Sequence, residues 1–322
     1  MAKSQLQHAV VVTGATSSLG RQLVQQLYHD KGVSFVLATS LEKMPYFFED
    51  LDKSRFAYVR ANLTKSREMN NLFYCDVFQD HQIDTVVHLA FQNKAEDRYS
   101  RESHKLNIDV TRALLDMSEQ TDSVRKFIFR SSHQVYRLTS QNSVFMHEDS
   151  DLNFEAGANQ WIRDRVDADM LCHSRMGSQK LKIVVLRLSN IMGMNVKSQL
   201  YWFLHGAMAN TPMGYDPMIN LLHTKDAVRA FQLAVHKDVA GVYNVIGKDT
   251  APLSVVARLN HTRRLPLPEP LLGPVNRLQR FIQATHYHYG VHGELLKFAA
   301  LMDGRRAQKV LGYTPINRVD LG

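Results

Sequence analysis

Between Ala9 and Leu27 the chain reads AVVVTGATSSLGRQLVQQL, and no other stretch restricts what it can fold into as strongly. Ala9 to Val12 form a short apolar run suited to a fully buried strand, and Leu19, Leu23, Val24 and Leu27 then recur at helical spacing. Between them, Gly14, Ala15, Thr16, Ser17, Ser18 and Gly20 make a turn of small residues. Such a turn lets main-chain N–H groups and the positive end of the following helix come close to a pyrophosphate. The usual spacing is Gly-x-x-Gly-x-x-Gly; here Ser17 stands at the middle glycine, where its hydroxyl can donate to a phosphate. The stretch predicts a dinucleotide-binding turn, against the plainer alternative of a strand-turn-helix that holds no ligand.

The alternation continues. Ser34–Ala38, Phe56–Val59, Asp84–Ala90, Lys126–Ser131 and Lys182–Leu188 read as strands. Helices are expected with Met69, Leu72, Phe73 and Val77 on one face, over Asn107–Gln120 with Val110, Leu114 and Met117 in register, and over Trp161–Arg175. Strands alternating with helices predict an α/β fold with a doubly wound parallel sheet, its ligand crevice at the carboxyl ends of the strands. Beyond Leu188 the pattern fades. Gly193–Leu222 reads as loop-rich, and Met192, Met194, Met208, Met213 and Met218 in and beside it read first as adaptable core packing. A helix over Asp226–Lys237 and a strand over Gly241–Ile246 follow. Pro266, Pro268, Pro270 and Pro274 are expected to rule out regular helix between Leu265 and Pro274. The expected division is a dinucleotide-binding domain over residues 1–190, to which 222–247 returns, and a smaller substrate lobe over most of 191–322.

At the end of the second strand an acidic residue would suit the ribose hydroxyls of NAD, and a basic one the 2′-phosphate of NADP. The chain offers Thr39 and Ser40, with Lys43 nearby, which leaves NAD and NADP both open with a tilt toward NADP. A net charge of +8 raises a polyanionic partner. Lys and Arg are dispersed, however, with Arg263-Arg264 the densest pair, and no nucleic-acid motif accompanies them, so neither nucleic acid nor membrane is expected as a partner. No run of roughly 18 apolar residues occurs, and the first strand begins within about ten residues of Met1, which predicts a soluble cytoplasmic protein. Cys75 and Cys172 lack a CxxC spacing. His286, His288 and His292, interleaved with Tyr287 and Tyr289, lack an acidic or thiolate co-ligand and a helical i, i+4 pair, so they read as structural or substrate-lobe residues and no metal is expected.

Landmarks in order along nearly the whole chain resemble the extended short-chain dehydrogenase/reductase family, the group of nucleotide-sugar epimerases and dehydratases. They are Thr13-Gly14 with Gly20, Asn62-Leu63, His88-Leu89-Ala90, Asn107 with Thr111, Ser131-Ser132-His133-Gln134-Val135-Tyr136, Leu186-Arg187-Leu188-Ser189-Asn190 through Gly193, His223-Thr224-Lys225-Asp226, Val242-Tyr243-Asn244 and Leu311-Gly312-Tyr313-Thr314-Pro315. The resemblance implies cofactor contacts from Gly14, Thr16, Ser17, Ser18, Leu19, Gly20, Thr39, Asn62, Leu63, Leu89, Ala90 and Arg165, and a homodimer through the helices beginning at Asn107 and Trp161. It implies that Ser132 orients a substrate oxygen. The family's proton-transferring Tyr and its Lys four residues later fall on Trp161 and Arg165, one turn apart on a helix face.

An indole N–H does not titrate, so Trp161 cannot act as acid or base. Arg165 keeps a positive charge in a different donor geometry. His133 follows Ser132 where the resembling dehydratases carry a general acid, and it titrates near neutrality; the bland alternative is a hydrogen-bonded or surface histidine. Asp164 and Tyr136 are weaker candidates, Asp164 as a partner of Arg163 or Arg165 and Tyr136 as packing. Two readings stand side by side. One is an NAD(P)-dependent enzyme acting on a hydroxyl or carbonyl of a nucleotide sugar or similar polar substrate through a rearranged acid/base. The other is a catalytically degenerate NAD(P)-binding sensor or scaffold that works through partners.

Overall fold

Val10 and Val12 point to one side of the first strand and Ala9 and Val11 to the other, and all four are buried, so this strand, β1 (His8–Thr13), is covered on both faces. The structure, a computed structural model, describes residues 7–91, 100–177, 179–193, 195–206, 208–283 and 287–320. With β1 lie β2 (Val33–Ser40), β3 (Phe56–Arg60), β4 (Thr85–His88), β5 (Lys126–Ser132), β6 (Lys182–Leu188) and β7 (Gly241–Val245). They form a seven-stranded sheet in the order β7-β6-β5-β4-β1-β2-β3, every neighbouring pair parallel. The winding reverses between β1 and β4, and a crevice opens at their carboxyl ends.

On one face, Val10 and Val12 pack with Leu23 and Leu27 of α1 (Ser18–Tyr28). On the other, Ala9 and Val11 pack with Met69, Leu72 and Phe73 of α2 (Ser66–Tyr74), and beside them lie Leu114 and Leu115 of α4 (Val110–Gln120) and Ala168 and Cys172 of α5 (Gln160–Ser174). The helix expected to run through Val77 breaks at Cys75, whose backbone is extended, and Val77 sits on a separate short helix, α3 (Asp76–Asp80). A π-helical turn over Lys105–Asp109 precedes α4. α6 (Thr224–His236) covers the same face as α1, and its Asp226 carboxylate accepts hydrogen bonds from the backbone of Ile316 and Asn317 and from Asn317 Nδ2. Tyr313 donates to the Ile246 carbonyl at 2.8 Å, so the HTKD and LGYTP stretches together clamp the chain end to the sheet.

Two expectations for the smaller lobe change. Gly193–Leu222 is more regular than its composition predicts: it holds a helix over Gln199–Leu204 and strands over Ala209–Pro212 and Met218–His223, the last paired with Asn190–Met192 and Asp249–Pro252. Its methionines are not uniformly core, for Met192 is buried whereas Met208 and Met213 are 40% and 59% exposed; Met194 lies outside the described residues. The prolines do not exclude helix either. Arg264–Leu267 is a strand and Glu269–Gln283 a helix. Pro270 falls in its first turn, where no N–H is needed, and Pro274 in the second turn forgoes a single backbone hydrogen bond.

Candidate functional site

Gly14 adopts φ +66°, and a Cβ there would lie 2.8 Å from the Ala90 nitrogen at the end of β4; a Cβ on Gly20 would lie 2.3 Å from the Gly14 carbonyl oxygen. Both positions therefore need the absence of a side chain, one for backbone conformation and approach, the other for seating α1 on the turn. Ser17 is tolerated at the middle position because it is the N-cap of α1 with an ordinary negative φ, and its Oγ accepts from the Gly20 N–H at 3.0 Å. Gly14, Thr16, Ser17, Asn62, Leu63, Leu89 and Ala90 line one cleft of about 840 Å³. Ser17, Ser18 and Leu19 also border a second, of about 280 Å³, which Ser132, His133, Trp161 and Arg165 line from the other side. The turn thus joins the two.

Thr39 does not face this cleft as expected. It is fully buried, and its carbonyl instead accepts from the Ala15 N–H at 3.2 Å. The groups presented there are Ser40 and Glu42, an acidic residue the sequence reading missed. The Thr16 and Ser40 hydroxyls lie 2.7 and 2.8 Å from Glu42 Oε2. Burial opposes ionisation of Glu42, but these two hydrogen bonds outweigh it and hold the carboxyl below its usual range. Asn62 accepts from the Thr64 N–H and hydroxyl, which fixes the loop after β3 against the cleft.

Three separate sequence landmarks meet at His88. Thr111 Oγ1 donates to the Asn107 carbonyl, so it accepts from His88 Nε2–H at 3.1 Å, and Thr13 donates to His88 Nδ1 at 2.8 Å while accepting from the Leu89 and Ala90 N–H groups. The neutral imidazole thereby ties β1, β4 and α4 together beneath the crevice. A second buried set lies under β5 and β6. Asp169 accepts from Arg187 Nε and Nη2 at 3.0 and 2.6 Å and from the Ser131 hydroxyl. Arg187 Nη1 donates to Tyr136 Oη, which donates to Asn244 Oδ1. Tyr136 is thus a structural phenol, and the Ser131, Arg187 and Asn244 landmarks serve one network.

At the reacting end, Ser132 Oγ accepts from the Gln134 N–H at 3.1 Å. His133 is 4% exposed, and its Nδ1 faces the Leu188 carbonyl at 3.2 Å. A carbonyl only accepts, so the proton sits on Nδ1, and the Nε2 lone pair has no partner among the described residues. Burial pulls its pKa down to about 4, with the nearby Arg165 charge adding to that and the Leu188 bond opposing it. The resting ring is neutral at pH 7, so it must accept a proton at Nε2 before it can return one. Trp161 and Arg165 form a stacked unit: the guanidinium carbon is 3.8 Å from the Trp161 ring centroid and 4.6 Å from that of Phe91. His292 also meets the indole, edge-on at 5.0 Å. Asp164 pairs with neither expected arginine; it accepts from Gln160 at 2.7 Å and faces His104 Nδ1 at 2.8 Å. His286 lies outside the described residues, while His288 and His292 are buried.

Burial also lowers His88 to about 3. Unfolded histidine titrates near about 6.5, so between that value and the folded ones the unfolded chain binds more protons, and stability is complete above the unfolded pKa and lost as pH falls. We expect the urea midpoint to drop steadily from pH 7 to pH 5, with about 1 kcal/mol per pH unit available from each buried histidine. A midpoint flat across that range would contradict the assigned neutral rings.

A model of the NAD dependent epimerase/dehydratase family matches residues 10–246. An uncharacterized protein of Mycobacterium tuberculosis is 27% identical over 319 residues, 97% of this chain and 81% of that protein. A trifunctional UDP-glucose 4,6-dehydratase/UDP-4-keto-6-deoxy-D-glucose 3,5-epimerase/UDP-4-keto-L-rhamnose-reductase of Arabidopsis thaliana is 26% identical over 265 residues, 77% of this chain and 38% of that protein. Among solved structures, UDP-glucuronic acid 4-epimerase from Bacillus cereus, in complex with UDP-glucuronic acid and NAD, matches with a TM-score of 0.71 at 19% identity, covering 97% of this chain and 96% of that one. The dTDP-glucose 4,6-dehydratase from Bacillus anthracis in complex with NAD gives 0.72 at 14%, covering 98% and 94%. At such identities the two structures establish likeness of fold.

Proposed function

The chain belongs to the NAD dependent epimerase/dehydratase family, and on that premise we propose that it binds NAD across the strand ends and moves hydride between NAD and a hydroxyl or carbonyl carbon of a small polar, nucleotide-linked substrate. The residues fit the cofactor. Gly14 and Gly20 let the turn close against the Ala90 backbone and against itself with no side chain between, α1 points its N-terminus at the cleft, and Glu42 with Thr16 and Ser40 offers acceptors to ribose hydroxyls. A carboxylate there repels a 2′-phosphate, which favours NAD over the NADP that Lys43 had favoured. Glu42→Ser is expected to shift the NAD-to-NADP affinity ratio toward NADP by about tenfold, read by parallel titrations; an unchanged ratio would remove Glu42 from this role.

The observation that carries the reading is the His133 ring, held through Nδ1 with Nε2 buried and without a partner among the described residues, on a residue that lines the same cleft as Ser132. When bound, NAD supplies or accepts the hydride. Ser132 holds the substrate oxygen, His133 Nε2 takes its proton, and Arg165 offers its guanidinium to the ribose. The atypical site thus moves proton transfer away from position 161. The second reading, an NAD-binding sensor or scaffold without turnover, is favoured by the indole of Trp161, which does not titrate and is packed against Arg165. The two are separated by adding UDP-glucose and UDP-glucuronic acid to protein whose melting temperature NAD or NADH has raised. A change in nicotinamide fluorescence supports the enzyme, and stabilisation with no change in fluorescence supports the sensor.

The same reading includes a homodimer through α4 and α5, where Ala113, Met117 and Leu171 are only partly buried in the single chain, and a cytoplasmic location. No helix among the described residues is long and apolar enough to cross a membrane.

A further inference from the structure

The inner cleft between α1 and α5 carries an unusual balance of charge. Arg130, Arg165 and Lys197 line it, and none of the described residues lining it is Asp or Glu. Arg130 sits on β5 two residues before Ser132, on the same side of the strand. It has no ion pair or side-chain hydrogen bond among the described residues. Burial pulls its guanidinium down to about 10. Arg165 is pushed down by burial and then by Arg130, with Asp164 opposing, and the Arg165 charge in turn lowers His133 and His292. The Arg130 charge therefore disfavours that of Arg165, and the Arg165 charge those of the two histidines.

Three buried polar atoms in this wall have no partner among the described residues: His133 Nε2, Trp161 Nε1 and Ser189 Oγ, on side chains 4%, 5% and 4% exposed. Leaving such groups unsatisfied costs about 1–3 kcal/mol each, and all three belong to residues that line this cleft, which points to a ligand there that satisfies them. Their chemistry differs. Trp161 only donates, His133 Nε2 only accepts, and Ser189 does either.

We propose that the inner cleft is an oxyanion subsite for a carboxylate-bearing, hydroxylated small molecule, with the carboxylate held by Arg130 and a hydroxyl donating to His133 Nε2. A guanidinium fork matches a carboxylate, and pairing relieves the mutual repulsion of the cations. Free phosphate is a competing occupant, since at neutral pH it carries both negative charge for Arg130 and a hydroxyl that can donate to His133 Nε2. The inference rests on the same cleft as the proposed function and deepens it by assigning an acidic substrate; it requires no hydride step.

The chain has two tryptophans, so in a Trp202→Phe background the fluorescence of Trp161 reports on the site. D-glucuronate, D-glucose and inorganic phosphate are titrated separately into the full chain. Glucuronate is expected to quench with an apparent affinity about tenfold or more above that of glucose, as hydrogen bonds to a charged group predict. Arg130→Gln is expected to abolish that preference, and Arg130→Lys to retain part of it. Because Arg130→Gln removes an unpaired cation, its melting temperature should not fall, which separates loss of binding from loss of fold. Equal response to glucuronate and glucose, a preference that survives Arg130→Gln, or a response to phosphate without one to glucuronate would each overturn the proposal. NAD-induced stabilisation of the same sample reads the cofactor assignment independently, so failure of the subsite and failure of NAD binding are distinguishable.

Discussion

Asp169→Ala is expected to destabilise the fold by about 3–5 kcal/mol, because it strands a buried guanidinium. The Arg187 and Asp169 side chains are 3% and 0% exposed, so water cannot replace the lost partner. Two parallel hydrogen bonds disappear with the carboxylate, together with the acceptor for Ser131, while Arg187 Nη1 keeps only Tyr136 and the Glu148 carbonyl. Burial acts against the Arg187 charge, but Asp169 holds its pKa above the usual value. The measurement is the urea midpoint at an unchanged slope. A double replacement, Asp169→Leu with Arg187→Met, should recover much of the loss, since an apolar pair leaves no buried charge behind. A loss below about 1 kcal/mol for Asp169→Ala would mean that the pair does not carry the junction of β5, β6 and α5.

His133→Ala is expected to lower kcat by about 10²- to 10⁴-fold while leaving the NAD dissociation constant unchanged, the signature of a group that acts only on the proton. His133→Gln sharpens the test: its amide can still donate to the Leu188 carbonyl but cannot take up a proton, so it should be as slow as alanine. With the ring held near a pKa of about 4 by burial, turnover should show no His133 titration between pH 6 and pH 8. Unchanged kcat in His133→Ala would assign proton transfer elsewhere.

The central strands were legible because a sheet buried on both faces demands apolar runs, and KFIF and KIVVL leave little alternative. The Trp161 to Arg165 spacing was equally visible, since residues four apart share a helix face. That spacing could not reveal that Phe91 contacts Arg165 and His292 contacts Trp161. Glu42 was missed for a local reason. β2 runs on to Ser40, two residues past the expected end, so the acidic residue lies just beyond the strand and reaches back to Thr16. The role proposed for His133 rests on its burial and on the Leu188 carbonyl, and sequence records neither. Pro274 misled because a rule about hydrogen bonds was applied without the packing of an amphipathic helix that outweighs a single lost bond. Thr13, His88, Thr111 and Arg187, Tyr136, Asn244 were recognisable as landmarks, yet only the fold shows that each trio is one hydrogen-bonded network.

The most direct test of the account is a titration of the purified chain with NADH, followed by nicotinamide fluorescence, with NADPH in parallel. Saturation at one site per chain, tighter for NADH than for NADPH, is the predicted result; no saturable binding of either nucleotide would contradict it.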